Sequence, residues 1–328
     1  LPVNGILRSM GVIPKQQFQT TVSDMKRIKA VIDSGESLVI YPAGLMCEDG
    51  VSTPIPEATY KFLKWLDTDV YAARTIGTYF SMPKWTKGIR SGRTFLDVYK
   101  LIPREELKSM SVDRVKELVE GALLFNAFEE QEKLLVKYKN GDNIEGLENV
   151  LYQCPHCGEE FTMRVRDRRH ICCSACGYEE SCDEFAFLHN TKGLGPELRY
   201  VSQWSEMIFS RLREHIRANP DFSISARTRI HMIDYEKHKF VEVGSGTVEL
   251  SANNFRLRGR INGEEVDKLI PSSRIPALPF SPGRHLEIQN GQEIFRFVLE
   301  DGSRVMKFIN ALKAFYELNN PVKVKTKV

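Results

Sequence analysis

Cys154-Pro155-His156-Cys157 is answered by Cys173-Ser174-Ala175-Cys176, with fifteen residues between the two pairs. Two C-x2-C pairs at this spacing predict one tetrahedral zinc site with Cys154, Cys157, Cys173 and Cys176 as thiolate ligands. Gly158 and Gly177 follow the pairs, as suits a tight turn that wraps backbone around a metal. Four sulfurs close the shell of Zn²⁺ and leave no position for substrate, so the ion expected here is structural. It lets a stretch too short to bury its own core fold. The alternatives are free buried thiols or two disulfides, and chance rarely produces the double spacing. Cys172, beside Cys173, leaves the ligand choice open at one position, and His156 is expected to point away from the metal.

A chain of 328 residues has room for two or three domains. Apolar content of 42% and charged content of 27% are ordinary for a folded soluble protein. The net charge of +3 is mild, unlike that of a dedicated nucleic-acid binder. Arg164, Arg166, Arg168 and Arg169 between the knuckles give a nucleic-acid reading slight support, and no interleaved aromatic surface accompanies them. Seven cysteines, four in metal spacing, suit a reducing, cytoplasmic setting. No apolar run reaches the length of a transmembrane helix, and no signal peptide is visible. The chain starts at Leu1 and runs straight into what reads as the middle of a domain, so an N-terminal truncation is expected.

In the first half, Gly11-Val12-Ile13-Pro14 reads as a strand end. Ser23 and Asp24 cap a helix with Met25, Ile28, Val31 and Ile32 on one face, closed by Gly35. Ser37–Tyr41 reads as a buried strand stopped by Pro42. Ala58, Phe62, Leu63 and Leu66 make the next helix amphipathic, and Val70–Ala73 and Thr94–Tyr99 read as further strands. Ser111 caps a helix bearing Val115, Leu118, Val119 and Ala122, and the helical pattern resumes from Phe125 to Val136. Alternating helices and apolar strands predict an α/β sheet covered on both faces.

The run Ser34-Gly35-Glu36-Ser37-Leu38-Val39-Ile40-Tyr41-Pro42-Ala43-Gly44, followed by Asp49-Gly50, resembles the glycerolipid acyltransferase family that includes the 1-acylglycerol-3-phosphate acyltransferases. That family carries Phe-Pro-Glu-Gly-Thr-Arg-Ser after a helix and a strand, and the motif helps hold the acceptor's phosphate. Tyr41, Pro42 and Gly44 match it; Ala43 replaces the Glu, and Leu45-Met46-Cys47 supplies no Arg. Upstream, Gly11–Gln17 resembles the block Gly-x-Ile-x-x-x-Arg, with Gln17 at the Arg position and Lys15 the nearest cation. The resemblance covers roughly residues 1–148 and implies substrate-binding roles for Lys15, Tyr41, Pro42 and Gly44. It further implies a thioester donor, acyl-CoA or acyl-carrier protein, a lysophospholipid-type acceptor, and a His-x4-Asp dyad with His as general base. All seven histidines lie at or beyond His156 and none has that spacing, so the dyad is missing from this chain and the fragment itself is expected to be inactive.

The stretch Tyr79–Arg93 mixes aromatics with Lys84, Lys87, Arg90 and Arg93. It reads either as a headgroup-contacting loop with Trp85 at the interface of an anionic membrane, or as a solvated loop. Beyond the zinc segment, Thr191–Pro196 reads as a linker leading to a helix with Trp204, Ile208, Leu212 and Ile216. From Phe222 short strands alternate with turn signals at Asn262-Gly263, Asn290-Gly291 and Asp301-Gly302, and a helix with Val305, Ile309, Leu312 and Phe315 follows. This layout resembles the pleckstrin-homology/GRAM-like barrels. Arg256, Arg258 and Arg260 share one strand face, as an anionic-headgroup site or as a solvated surface.

The expected plan is an acyltransferase-like α/β domain lacking its N-terminal part over 1–148, a zinc ribbon over 149–190 and a helical linker over 191–221. A small antiparallel β domain with a C-terminal helix over 222–320 and a basic tail over 321–328 complete it. The whole layout resembles that of a bacterial subgroup of the family in which the acyltransferase domain precedes a zinc ribbon and a small β domain. The expected protein is cytoplasmic and peripheral to the membrane, either an acyltransferase of phospholipid synthesis or a non-catalytic membrane-surface adaptor built on the same domains.

Overall fold

In the computed structural model, which describes residues 9, 11–13, 22–234, 236, 239–275, 278–291 and 293–319, the chain divides into two units that alternate along the sequence. The first unit comprises Leu1–Met46, Ser52–Ile76 and Phe95–Phe125; the second comprises Cys47–Val51, Gly77–Thr94 and Asn126–Val328.

Helix α1 of the first unit runs Val22–Asp33 and ends as its glycine predicts. Gly35 takes φ +83°, its amide donates to the Ile32 carbonyl (3.0 Å), and Glu36 N–H donates to Val31 (3.2 Å). The core of this unit is small: Ile55, Tyr60, Ile102, Leu107, Val115 and Val119. Helix α2 (Glu57–Leu66) supplies Tyr60, whose hydroxyl donates to Glu120 (2.8 Å). Strands β1 (Val70–Ile76) and β2 (Phe95–Ile102) pair antiparallel, from Val70 opposite Ile102 to Ile76 opposite Phe95. Helices α3 (Arg104–Ser109) and α4 (Val112–Leu123) follow, and the Ser111 hydroxyl accepts from the Arg114 amide (3.1 Å) at the start of α4, as expected of a cap.

Ser37–Tyr41 departs from expectation. Among the described residues it joins no ladder, and Val39 and Tyr41 are 78% and 87% exposed. A β-rich composition becomes a strand only when a neighbour supplies the hydrogen bonds. The sheet of this unit, among the described residues, is the β1–β2 pair. Ala72 and Ile76 are buried on one face, while Tyr71, Leu96 and Val98 stand exposed on the other.

The second unit begins its long segment with helix α5 (Ala127–Leu134), capped by Asn126. Strands β3 (Met163–Arg166), β4 (His170–Cys173), β5 (Glu179–Cys182) and β6 (Leu188–Asn190) form a four-stranded antiparallel ribbon in that order. Helix α6 (Val201–Ala218) packs through the face its apolar spacing predicts, with Trp204, Ile208, Phe209, Leu212 and Ile216 all buried.

Seven strands make the last sheet: β7 (Ser223–Asp234), β8 (Lys239–Ser251), β9 (Asn254–Ile261), β10 (Glu264–Pro271), β11 (Phe280–Ser281), β12 (His285–Asn290) and β13 (Glu293–Leu299). Their order is β10-β9-β8-β7-β13-β12-β11, every pair antiparallel. Asn262 and Gly263, at φ +52° and +89°, make the two-residue turn between β9 and β10. Asp301-Gly302 is not a hairpin: Asp301 accepts from the Ser303 amide (3.2 Å) and opens a short turn into helix α7 (Val305–Asn319). One core unites α6, α7 and the sheet through Phe255, Phe295, Phe297, Phe308 and Phe315. Each such ring, fully buried, contributes about 1.5–3 kcal/mol.

Two short pieces join this unit from far upstream. In Gly77–Thr94, Arg90 is buried, donates to the Gly141 carbonyl (3.3 Å) and to Asn143 O, and lies over the Trp85 ring. Trp85 is itself buried, so it is not presented as an interfacial anchor, while Lys87, Ile89 and Arg93 of the same stretch are exposed. A guanidinium that bonds two carbonyls is desolvated cheaply, which is why so cationic a stretch can pack inward.

Candidate metal centre

The two knuckles are near copies of each other. Cys154 N–H donates to Glu159 O (2.9 Å) and Gly158 N–H to Cys154 O (3.1 Å); Cys173 N–H donates to Tyr178 O (2.8 Å) and Gly177 N–H to Cys173 O (3.0 Å). Gly158 and Gly177 sit at φ +79° and +78°, the left-handed conformation that closes each turn. The turns aim four sulfurs at one point, with all ligand atoms within 4.8 Å of one another. Cys154 Sγ lies 3.6 Å from Cys176 Sγ, and Cys157 Sγ 3.8 Å from Cys173 Sγ. A tetrahedron of thiolates at zinc–sulfur distance has edges of about 3.8 Å. The four cysteines therefore fit a metal ion. Among the described residues no other group of His, Cys, Asp or Glu converges in this way.

The ambiguity at Cys172 resolves. Its thiol points to the Glu179 carboxylate (3.4 Å), and that carboxylate also accepts from Arg166 (2.8 Å) and Thr191 (2.7 Å). Strand alternation explains this, because adjacent residues on β4 face opposite sides. His156 is exposed and outside the cluster, as expected.

The arginines between the knuckles are engaged. Arg166 pairs with Glu179, Arg168 with Glu145 (3.6 Å) and Arg169 with Asp142 (2.6 Å), while Arg164 donates to the Phe161 and Met163 carbonyls. Two histidines of the ribbon pair with aspartates, His170 with Asp167 and His189 with Asp183, both at 2.8 Å. On β9, Arg256, Arg258 and Arg260 meet Asp267 (2.5 Å), Glu249 (3.3 Å) and Glu265 (3.4 Å) on the flanking strands, an ion-paired solvated face.

Of the residues expected to bind substrate, Tyr41, Pro42 and Gly44 share one turn of the first unit. Gly44 N–H donates to Tyr41 O (3.2 Å), with Pro42 at the position that favours proline and Gly44 at φ +68°. Lys15 lies outside the described residues, as do the tail lysines 323, 325 and 327.

Sequence reasoning missed a polar cluster in the second unit. Burial, then the adjacent Asp49 carboxylate, raises the Glu48 pKa to about 7; Lys84 and Lys313 act against the rise. Burial also raises that of Asp49, which accepts from the Val51 amide (3.0 Å) and bonds Ser205. Lys84 is pushed down to about 8 by burial, and its ammonium lies over the Phe280 ring. No sequence signal marks this group, because its members come from four distant segments.

No family model and no curated protein matches the chain. Among solved structures it is similar to the Ran binding domain from the nuclear complex component Nup2 of Ashbya gossypii. That match is 15% identical, covers 30% of this chain and 99% of the other, and has a TM-score of 0.23, a likeness too slight to bear on fold or partner.

Proposed function

We propose that the chain is part of an acyltransferase that moves a fatty acyl group from a thioester carrier, acyl-CoA or acyl-carrier protein, to the hydroxyl of a lysophospholipid-type acceptor. The observation that carries this reading is the turn Tyr41–Gly44, which brings together the three residues that match the acceptor motif of the glycerolipid acyltransferases. In this reading the turn and Lys15 position the acceptor's phosphate, and a His base outside this chain takes the hydroxyl proton. The ion of the four-cysteine site is zinc and structural. The seven-stranded domain is a pleckstrin-homology/GRAM-like module, and the protein works in the cytoplasm at the membrane surface. Among the described residues no helix is long and apolar enough to cross a membrane.

The second reading is a membrane-surface adaptor with a degenerate acyltransferase domain. It is favoured by one observation: every histidine lies at or beyond His156. Acyl transfer by the natural gene product to a panel of lysophospholipids, with a thioester donor, decides between them. Turnover that falls at least tenfold in Gly44→Val supports the enzyme. No turnover on any acceptor from folded, metal-loaded protein supports the adaptor.

A further inference from the structure

Helix α6 serves two neighbours with almost adjacent residues. Toward the ribbon, Trp204 Nε1 donates to the Gln153 carbonyl (2.9 Å), and its ring meets Tyr178 edge-on at 5.7 Å. Farther along, Arg211 donates Nη1 to Cys154 O (3.1 Å) and Nη2 to Pro155 O (2.9 Å). These three carbonyls belong to the first knuckle and its approach, and one is that of a metal-ligating cysteine. A knuckle opened by loss of its ion would move the acceptors that hold α6.

On α6 as well, Ser202 and Ser205 are buried hydroxyls. Ser202 accepts from Asn126 Nδ2 (3.1 Å), and Ser205 bonds the Asp49 carboxylate. Both partners hold the segment Cys47–Val51. Val51 bridges to Asn126, and Ala127 N–H donates to Gly50 O (2.8 Å). The Tyr79 hydroxyl donates to Glu48 O (3.4 Å). Gly50, at φ +93°, has no room for a side chain, since a Cβ would lie 2.9 Å from Phe128. Cys47, the first residue of this seated segment, is a half-buried free thiol, its pKa pushed up to about 11 by burial first and by Asp49 second.

We propose that α6 couples the four-cysteine site to Cys47–Val51, so that loss of the metal frees this segment and exposes Cys47. The metal-loaded knuckle fixes the acceptors of Trp204 and Arg211, the fixed helix presents Ser202 and Ser205, and the two hydroxyls seat Asn126 and Asp49. The coupling holds whatever reaction the protein serves. Release moves Cys47 toward an ordinary thiol, raising its thiolate fraction on the order of 100-fold and its labelling rate by at least about tenfold.

The test compares the full chain, metal-loaded and chelator-stripped under reducing conditions, in native alkylation by N-ethylmaleimide. Mass spectrometry of the Cys47 peptide reads the rate, and amide exchange in β9 reports whether the unit stays folded. The expected result is Cys47 labelling at least tenfold faster after stripping, with β9 still protected. The metal-loaded Ser202→Ala/Ser205→Ala variant is expected to label fast while keeping its metal. An unchanged Cys47 rate on stripping overturns the proposal. So does exposure of Cys47 only together with loss of β9 protection, or a folded double variant that labels like the parent chain.

Discussion

The Lys84 ammonium lies 3.3 Å from the centroid of the Phe280 ring, which fastens the Gly77–Thr94 stretch to the strand pair β11–β12. Desolvated cation–π contacts of this kind are worth up to about 2 kcal/mol. Lys84→Met and Phe280→Leu should each lower the unfolding free energy by about 1–2 kcal/mol in denaturant titrations. The double variant should recover a coupling of about 1 kcal/mol, and strict additivity would show that the ring merely covers the stem of the lysine.

Metal content separates the two adjacent cysteines of β4. Cys172→Ser should retain the metal content of the parent chain, because its thiol faces Glu179. Cys173→Ser removes a converging ligand. It should lose the ion to a competing chelator and destabilise the ribbon by upwards of about 4 kcal/mol. Elemental analysis after dialysis checks the first point, and thermal unfolding checks the second.

Glu180 is fully buried, bonds the Tyr178 hydroxyl, and leaves one carboxylate oxygen without a partner. Burial raises its pKa from 4.5 to about 7. The folded state thus binds this proton more tightly than the unfolded chain. The stability it contributes is complete below pH about 4.5 and is lost as pH rises through about 7. With metal kept saturating, Glu180→Gln should flatten the decline in unfolding free energy between about pH 5 and 7.5, a change of at most about 3 kcal/mol. A slope equal to that of the parent chain would place the titration elsewhere, with Glu48 the first alternative because burial raises its pKa in the same sense.

Gly246 and Gly259 face each other across β8 and β9. A Cβ on Gly246 would stand 2.2 Å from Arg258 O and 2.8 Å from Gly259 Cα, where only backbone could yield. Gly246→Ala should cost more than about 2 kcal/mol. At Gly263 a Cβ meets nothing within 4 Å, and the strain is that of φ +89° alone. Gly263→Ala should cost about 1 kcal/mol. Equal losses in the two variants would contradict this account of the close approach between β8 and β9.

The two knuckles were legible from spacing because local chain geometry determines them, and only the choice between Cys172 and Cys173 needed the strand's facing. Hairpin turns such as Asn262-Gly263 were legible for the same reason, since their φ values admit few residues. Helix caps at Ser111 and Gly35 belong with them. Ser37–Tyr41 was misread because strand formation depends on a partner that composition does not reveal. Trp85 and Arg90 were misread because a cationic, aromatic stretch looks alike whether it is solvated or satisfied by the carbonyls of Gly141 and Asn143. The buried serines of α6 carried no signal, since a hydroxyl on a helix is usually solvent-facing.

Five exchanges between units occur along the chain, at 46/47, 51/52, 76/77, 94/95 and 125/126. A gene cut after residue 125 would therefore deliver a ribbon and seven-stranded sheet stripped of Trp85, Arg90 and the Cys47–Val51 segment. Such an excised piece would expose the surfaces these residues cover, and its insolubility would say nothing about the parent protein. Circular permutants or fusions must likewise keep both short insertions in place, so a cut in this gene is chosen by unit membership and not by position along the sequence.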